Sequence, residues 1–337
     1  MISPTPIRRS RNALIARTGS SQKALFLSVP CAPSRLRIRL PGWRFCWPVW
    51  KNERLADMTG WLAERLASQG YAGQVALVVQ DARTGETLHA ERETQALPAA
   101  SIIKLWLLVR GLWAAQTGQM PLQGRLKMRP GDRVPGSGVL HDLGAGLELT
   151  WEDLLTLMVT VSDNTATNMV IGRLGLEDLQ TWLAAGWTQT RLVGKLQLPA
   201  EERNEAQRRG ERNTTTADDA ATLLGQLYRG ELLGEAHTAL ALDILGRQQF
   251  RDVLARQVPR DAAGAPLFRV LSKSGELTGV HHDAGLLLLP RPLSVALLSV
   301  GGSDPREHPD NRDTTLLAAT IWPLLHELGG VFRGHSY

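Results

Sequence analysis

The spacing of apolar residues predicts strands near both ends of the chain and helices between them. Apolar positions recur at helical spacing over 54–69, and they cover most of a predicted helix over 101–116. An unbroken apolar run over 75–79 predicts a buried strand, and 87–92 pairs back on it as a hairpin. Further helices are predicted near 150–160, 165–174 and 176–185, after 214–219 and over 313–328, and further strands over 268–274, 283–290 and 292–300.

This order of elements favours an α+β fold. We expect one antiparallel sheet built from both ends of the chain and flanked by helices, with an inserted all-helical lobe over about 97–262. A parallel Rossmann sheet requires regular strand–helix alternation and a glycine fingerprint, and neither is present. We divide the chain into a tail, residues 1–53, and one folded domain, residues 54–337. A long polar segment at 193–213 inside that domain is typical of a functional loop.

The charge of the chain is uneven. Its 337 residues carry a formal net charge of +5, but residues 1–52 hold ten Lys and Arg and no Asp or Glu. The remaining residues therefore carry a net charge of −5. Arginines are interleaved with aromatic residues over 35–50, a pattern compatible with nucleic-acid binding: Arg35, Arg37, Arg39 and Arg44 with Trp43, Phe45, Trp47 and Trp50. We favour a solvated tail, or a true start at Met58, and expect no nucleic-acid binding by the folded domain.

The tail gives little information about the compartment or about cofactors. Pro30 interrupts the apolar run over 24–32, so the match to a signal peptide is poor. No stretch reaches the roughly 18 apolar residues of a membrane-spanning helix. Two cysteines, Cys31 and Cys46, are too few for a disulfide framework or a four-cysteine zinc site. We expect neither a metal nor a cofactor.

The first of three candidate motifs lies at the start of the apolar helix. Ser101 is at its N-terminus, where unpaired backbone N–H groups stabilise developing negative charge. Lys104 follows three residues later on the same helix face. Its apolar surroundings predict a desolvated amine with a lowered pKa, which suits a general base. Taken alone, the pair is more typical of a capping serine and a lysine that extends to solvent.

Two further motifs lie at the ends of predicted elements. Ser162 and Asn164 occupy a link between helices, and side chains two apart in an extended link point the same way. The hydroxyl suits a proton relay, and the amide suits a substrate amide. Lys273, Ser274 and Gly275 end a strand, where they suit a substrate carboxylate and a closely approaching ligand backbone. Taken singly, these clusters are more typical of a helix cap and a turn.

Together the motifs read Ser-x-x-Lys, Ser-Asp-Asn and Lys-Ser-Gly, with spacings of 61 and 111 residues between them. This order resembles the penicillin-recognising serine hydrolases, and most closely the class A β-lactamases. The resemblance covers about 70–330 and is strong around 98–105 and 161–168. It implies a β-lactamase/transpeptidase-like fold, a monomer without cofactor, and a β-lactam or acyl-D-Ala-type small-molecule substrate. Members of this family act in the periplasm or after secretion.

The resemblance also implies a role for each matching residue. Ser101 would be the nucleophile, and Lys104 would be its activating partner. Ser162 would pass a proton to the departing nitrogen, with support from Lys273. The implied substrate contacts are Asn164, Asn204, Ser274 and Gly275. The backbone N–H groups of Ser101 and Glu276 would form the oxyanion hole.

The omega loop, residues 193–213, departs from the family pattern. Class A β-lactamases carry there a Glu-x-x-Leu-Asn pattern, whose Glu orients the water that releases the acyl group. Matching Asn204 to the Asn of this pattern puts Ala200 at the Glu position. We expect a rebuilt loop to bring Glu201 or Glu202 to the water.

Three functions therefore remain open from the sequence. The chain is predicted to be a β-lactam hydrolase, with two alternatives: a D-Ala-D-Ala peptidase or esterase, or a penicillin-binding protein that acylates without efficient turnover. The Arg–Asp pair that anchors the family's omega loop cannot form, because Asn213 replaces the Asp, although Lys195 replaces the Arg. Candidates for binding the substrate carboxylate are His281, His282 and Arg260.

Overall fold

The computed structural model describes residues 60–306 and 308–331, so the tail and Met58 lie outside the described residues. The helices are α1 (Trp61–Ser68), α2 (Lys104–Gln116), α3 (Trp151–Thr160), α4 (Asn164–Leu174), α5 (Leu176–Gly186), α6 (Glu205–Arg208), α7 (Ala217–Tyr228), α8 (Glu235–Gly246) and α9 (Arg312–Leu328). The strands are β1 (Gln74–Asp81), β2 (Thr87–Glu91), β3 (Leu97–Pro98), β4 (Arg125–Lys127), β5 (Glu148–Thr150), β6 (Thr214–Thr215), β7 (Val270–Leu277), β8 (Val280–Leu287) and β9 (Leu293–Val300).

Five strands form one antiparallel sheet in the order β2-β1-β9-β8-β7. Two of them come from the beginning of the described chain and three from its end, and helices dominate the sequence between them. This confirms the predicted α+β architecture. Because β7 is an edge strand of this sheet, half of its backbone N–H and C=O groups point away from β8.

Helices cover both faces of the sheet, which explains the unbroken apolar run in β1. Successive side chains of a strand point to opposite faces. Ala76 and Val78 of β1 join a core with residues of α2, α3, α4, α7 and α8. Leu77 and Val79 join a second core with residues of α1 and α9 on the other face. Burial on both faces therefore produces a continuous apolar run rather than an alternating pattern.

Capping side chains fix where the middle helices begin. The hydroxyls of Thr150 and Thr216 accept hydrogen bonds at the N-termini of α3 and α7. Asp163 caps α4 in the same way, and a cap of this kind contributes about 1 kcal/mol. Its carboxylate also accepts from the backbone N–H groups of Val139 and Leu140, at 2.7 and 2.9 Å. The cap of α4 therefore also holds the neighbouring 3₁₀ turn against the helix.

The structure corrects several predicted boundaries. Strand β7 continues to Leu277, so the Lys-Ser-Gly motif lies inside the strand and not at its end. Strand β8 begins at Val280, before the predicted 283, because this part of the chain continues the ladder with β7. A 3₁₀ turn, Ala100–Ile103, precedes α2, whose α-helical part begins at Lys104. Helix α8 was not predicted, since its apolar residues do not follow one clear stripe.

Candidate active site

Ser101 lies on the 3₁₀ turn before α2, and the fold holds this turn directly against β7. Gly275 makes that approach possible. A Cβ atom at Gly275 would lie 3.1 Å from Cγ1 of Ile102 and 3.3 Å from Cβ of Ala100. The sequence predicts that Gly275 leaves room for a ligand backbone. The structure instead shows that protein atoms of the Ser101 turn occupy the space beside it.

A buried histidine holds the segment that leads into this turn. His282 Nε2 lies 2.7 Å from the carbonyl oxygen of Pro98, and Nδ1 accepts from the N–H of Ser299 at 2.9 Å. Burial lowers the pKa of His282 to about 4, although the Pro98 carbonyl opposes this shift. His282 is therefore neutral and donates through Nε2, so it is not a cation for a substrate carboxylate. The N–H of Ala99 donates to the Asn213 carbonyl at 2.8 Å and fixes the same segment from the other side.

Lys104 is fully buried, and its Nζ has three oxygen neighbours. They are the carbonyl of Ser162 at 2.7 Å, its Oγ at 2.9 Å and Oδ1 of Asn164 at 3.0 Å. Burial, and then the charge of Lys273, hold the pKa of Lys104 well below its usual value. A neutral amine has two N–H donors and one lone pair. The protonated Nζ donates to Ser162 Oγ, and the lone pair of the neutral form can take a proton from the same hydroxyl.

Ser162 connects Lys104 to Ser101. The two serine Oγ atoms are 2.8 Å apart, so a continuous hydrogen-bonded path runs from Ser101 through Ser162 to Lys104. The sequence predicts an extended link at this point, but Ser162 has a φ of 56°, in the left-handed region. For a residue with a Cβ atom this conformation costs about 1–2 kcal/mol. The helix cap at Asp163 and the contacts to Lys104 hold it in place.

Lys273 is the second buried lysine of the site. Its Nζ donates to the Ser274 carbonyl at 2.7 Å and lies 3.5 Å from Ser274 Oγ. Burial lowers the pKa of Lys273 to about 7, against the opposing charges of Asp283 and Glu276. Within the described residues no hydrogen bond joins it to Ser162, contrary to the support implied by the family resemblance. Its influence on the relay is electrostatic, through the lowered pKa of Lys104.

Ser101 is partly exposed and opens into a cleft of about 770 Å³. One side of the cleft consists of the Ser101 turn, Asn164 and the end of β7 with Glu276. The opposite side consists of the omega loop. The loop residues that line the cleft are Lys195, Leu196, Gln197, Leu198, Arg203, Gln207, Gly210, Glu211, Arg212 and Asn213.

The structure does not bring the predicted loop acids to Ser101. Glu201 and Glu202 lie on a 3₁₀ turn, Ala200–Glu202, with both residues exposed to solvent. Neither lines the Ser101 cleft. Glu202 instead lines a second cavity of about 340 Å³, together with Asn204. The structure therefore does not place either acid in the Ser101 cleft, because the turn that carries them is exposed to solvent and borders this second cavity.

Amide side chains, and not an ion pair, hold the base of the omega loop. Oδ1 of Asn213 accepts from the N–H groups of Val193 and Gly194, at 2.7 and 3.2 Å. Nδ2 of Asn204 donates to the Val193 carbonyl at 2.7 Å, and its Oδ1 caps α6. The predicted substrate contact of Asn204 is therefore replaced by an internal role in the loop. Asn213 takes the position where the family carries an Asp and joins the two ends of the loop directly.

Asn168 was not selected from the sequence, although it holds the wall of the cleft. Its amide forms two hydrogen bonds with the backbone of Leu196, donating to the carbonyl and accepting from the N–H, both at 2.8 Å. Asn168 lies four residues after Asn164 on α4, so both amides share one helix face. The four-residue spacing from Asn164 is the sequence feature from which the position of Asn168 beside the site could have been predicted. The consequence is that Leu196 has a fixed backbone where the loop faces the cleft.

The three residues considered for a substrate carboxylate have other partners. His281 Nδ1 lies 2.6 Å from Oε2 of Glu276. Burial lowers the pKa of His281, but the hydrogen bond and charge of Glu276, together with the charges of Asp313 and Asp304, raise it overall. Arg260 donates to the Gly264 carbonyl on an exposed loop. The cations that do line the cleft come from the omega loop, and the sequence reasoning did not identify them.

The adjacent histidines of β8 serve different neighbours. The His281 ring contacts Glu276 and the His282 ring contacts Pro98, so they do not converge on one point. Across the described residues, no three His, Cys, Asp or Glu side chains are grouped as metal ligands. No helix in the same part of the chain is both long and apolar enough to cross a membrane.

Comparison with known proteins identifies the family. The sequence pattern of the β-lactamase enzyme family matches residues 62–323. The β-lactamase of Sphaerobacter thermophilus DSM 20745 is 30% identical, with a TM-score of 0.69 over 82% of this chain and 99% of that chain. PBP-A is 25% identical, with a TM-score of 0.68 over 81% and 97%. An ancestral class A β-lactamase, GNCA, is 25% identical, with a TM-score of 0.66 over 82% and 100%. This chain therefore belongs to the β-lactamase enzyme family.

Proposed function

We propose that this protein is a serine hydrolase that forms an acyl-enzyme with β-lactams at Ser101 and hydrolyses it slowly. One observation carries the proposal. The cleft contains a complete hydrogen-bonded path from Ser101 to a buried amine, but Glu201 and Glu202 lie outside it. Family membership supports the chemistry of acylation. A variant of PBP-A, 25% identical with a TM-score of 0.66, was solved as an acyl-enzyme complex with penicillin G.

Acylation uses the path through Ser162. Ser101 Oγ attacks the lactam carbonyl carbon while its proton moves to Ser162, and the Ser162 proton moves to the neutral Nζ of Lys104. The C–N bond of the lactam then breaks. The nitrogen takes a proton from Ser162, which regains one from Lys104. The proton of Ser101 is thus transferred in net terms to the departing nitrogen, and Lys104 returns to its neutral form.

The edge of the sheet supplies the remaining groups for acylation. The N–H groups of Ser101 and Glu276 would stabilise the oxyanion, because preorganised backbone donors contribute strongly in such sites. Ser274 would bind the substrate carboxylate beside the ammonium of Lys273. Asn164 contacts Lys104 through Oδ1, and its Nδ2 donates to the Pro135 carbonyl at 3.2 Å. The second hydrogen of that Nδ2 is suited to a substrate amide carbonyl.

Hydrolysis of the ester requires a base for water, and both described acids that line the cleft are already bound by arginines or by a histidine. Of the described acids, Glu211 and Glu276 line the cleft. Glu211 is bound by Arg209 and Arg191, at 2.9 and 3.1 Å, and Glu276 is bound by His281. General-base assistance typically contributes about 10²–10⁴-fold in rate. Its absence supports an acyl-enzyme that persists much longer than in an efficient β-lactamase.

A second candidate is a peptidase or esterase acting on acyl-D-Ala-type donors. The observation that favours it is the position of β7, an edge strand whose end, from Glu276, borders the cleft. An extended peptide can pair with such an edge through backbone hydrogen bonds. This activity would use the same acylation path and would differ only in its preferred donor.

One experiment separates these functions. The purified full-length protein is mixed with a chromogenic cephalosporin, and both absorbance and intact mass are followed. We expect a single acyl adduct that forms quickly and is lost slowly. Ser101→Ala should abolish the adduct, whereas Ser137→Ala, a change of another serine that lines the cleft, should retain it. Rapid turnover without an adduct contradicts slow hydrolysis, and cleavage of a D-Ala-D-Ala peptide or ester without any adduct favours the second candidate.

A further inference from the structure

The charges that line the Ser101 cleft are not evenly compensated. Both acids of the cleft have cationic or histidine partners that lie outside its lining: Arg191 and Arg209 for Glu211, and His281 for Glu276. The cleft-lining cations Arg203 and Arg212 have no ion-pair partner among the residues that the structure describes. The omega-loop side of the cleft therefore carries uncompensated positive charge.

The two arginines differ in how they are held. Arg203 Nε donates to the Leu198 carbonyl at 3.0 Å, which fixes the base of its guanidinium on the wall of the cleft and leaves its terminal nitrogens for another acceptor. Arg212 is exposed and makes no hydrogen bond with other described residues. Lys195 also belongs to the lining, but its ammonium lies against Gly172 of α4, where a Cβ atom would be only 3.3 Å away. Its charge therefore faces the second cavity.

The hydrogen-bonded path from Ser101 through Ser162 to Lys104 indicates which part of a substrate contacts these arginines. Ser162 gives its proton to the leaving group, so the leaving group departs beside the link between α3 and α4. The acyl part remains bonded to Ser101 and must occupy the rest of the cleft. The omega loop, with Arg203 and Arg212, forms the wall of that part. Guanidinium groups bind carboxylates with two parallel hydrogen bonds, which gives both affinity and orientation.

We propose that Arg203 and Arg212 bind an anionic group on the acyl part of the substrate, so that the preferred acyl donors are acidic peptides or acyl chains that end in a carboxylate. This inference rests on the proposed function, because it assumes acylation of Ser101. It assigns the omega loop a role in choosing the substrate. The same contacts persist in the acyl-enzyme, since the acyl part stays attached to the serine.

A pair of donors of equal shape tests the inference. Two penicillins are compared, one with a glutaryl and one with a glutaramyl side chain, so that a carboxylate is replaced by an amide. Acylation of the full-length protein is followed by intact mass. We expect the glutaryl compound to react about tenfold faster, because a charge-assisted bidentate contact is stronger than a neutral one. The preference should fall at an ionic strength of about 1 M, where charges are screened beyond about 3 Å.

Variants assign the preference to the arginines. The double change Arg203→Gln and Arg212→Gln should remove the preference, while acylation by the glutaramyl compound shows that the variant is folded. Arg208→Gln is the matched control, since Arg208 lies on the same loop but does not line the cleft. Equal rates with both donors in the unmodified protein overturn the inference but not the proposed function. A preference that survives the double change overturns the assignment to these residues. Failure of both donors to acylate Ser101 contradicts the proposed function itself.

Discussion

The two walls of the Ser101 cleft are built on different physical principles. On the acylation side, Lys104 and Lys273 are fully buried, and their chemistry follows from desolvation and short contacts. On the omega-loop side, amides bind backbone groups, and the charged residues Glu201 and Glu202 are exposed to solvent. The first wall fixes proton transfer, and the second provides shape and charge. Under the proposed function, the groups for acylation are therefore complete, whereas a base for hydrolysis of the acyl-enzyme is missing from the cleft.

Removing the buried amine should disrupt the acylation wall most strongly. In Lys104→Met the side chain keeps its length and apolar surroundings but loses the group that accepts the proton from Ser162. We expect the rate of acylation by penicillin G to fall about 10³-fold, within the usual range for a general base. Stopped-flow mixing with quench and intact mass measures this rate.

Lys195→Met is the control for Lys104→Met. This change removes an ammonium that lies on the omega loop and faces the second cavity. The variant should be acylated at the rate of the unmodified protein. If the Lys104 variant reacts as fast as the unmodified protein, the relay through Ser162 is wrong.

The omega-loop wall should become hydrolytic when it receives a carboxylate at a fixed position. Leu196 lines the cleft, and the two hydrogen bonds from Asn168 hold its backbone. We expect Leu196→Glu to increase the rate of loss of the acyl group by at least about tenfold, since a base for water typically contributes about 10²–10⁴-fold. Leu196→Gln has nearly the same shape without a base, and it should hydrolyse like the unmodified protein. Equal rates in the two variants would show that this position does not reach the water.

The buried histidine and its neighbour on the acylation side should give opposing pH dependences of stability. The pKa of His282 is lowered to about 4, so the unfolded state binds more protons above that pH, and stability rises as pH increases from about 4 to 6.5. Burial raises the pKa of Asp283 to about 6, against its hydrogen bonds and Lys273. The folded state then binds more protons between about 4 and 6, and stability falls over that range. The two effects nearly offset.

Single variants should reveal each dependence separately. When the pH is raised from 4 to 6, the free energy of unfolding of His282→Gln should fall by about 2–3 kcal/mol relative to that of the unmodified protein. That of Asp283→Asn should rise by about the same amount. Urea unfolding at both pH values measures these differences. Two variants with the pH dependence of the unmodified protein would contradict the assigned shifts.

The smallest effect is expected for the exposed acids of the omega loop. Glu201→Gln and Glu202→Gln change charges that lie outside the Ser101 cleft. Release of the acyl group should proceed at the rate of the unmodified protein in both variants. A marked slowing in either variant would show that the loop rearranges after acylation and that the omega-loop side does supply a group for hydrolysis.

The sequence places the residues of the acylation wall in short motifs, whose internal geometry is local and therefore predictable. Ser101 on the 3₁₀ turn lies only three residues before Lys104 at the start of α2, and Ser162 and Asn164 lie two residues apart where α3 leads into α4. The left-handed backbone of Ser162 could not be predicted, because contacts to Lys104 and Asp163 from tertiary packing stabilise it. For the same reason the path from Lys104 to Ser101 through Ser162 was visible only in the structure.

The omega-loop wall was not predictable in the same way. Its path depends on hydrogen bonds from Asn168, which is 28 residues away from Leu196 along the chain, and on Asn213 at the other end of the loop. Counting residues from Asn204 therefore did not identify which loop residues line the cleft. The contact of Gly275 with the Ser101 turn was not predicted for a similar reason, since the two segments lie far apart along the chain.

The most direct test of the account is a single-turnover reaction of the full-length protein with an equimolar amount of penicillin G, followed by intact mass and by peptide mapping. The account predicts one adduct on the peptide that contains Ser101, formed much faster than it disappears. An adduct on another residue, or release of hydrolysed penicillin as fast as the protein reacts, would contradict it.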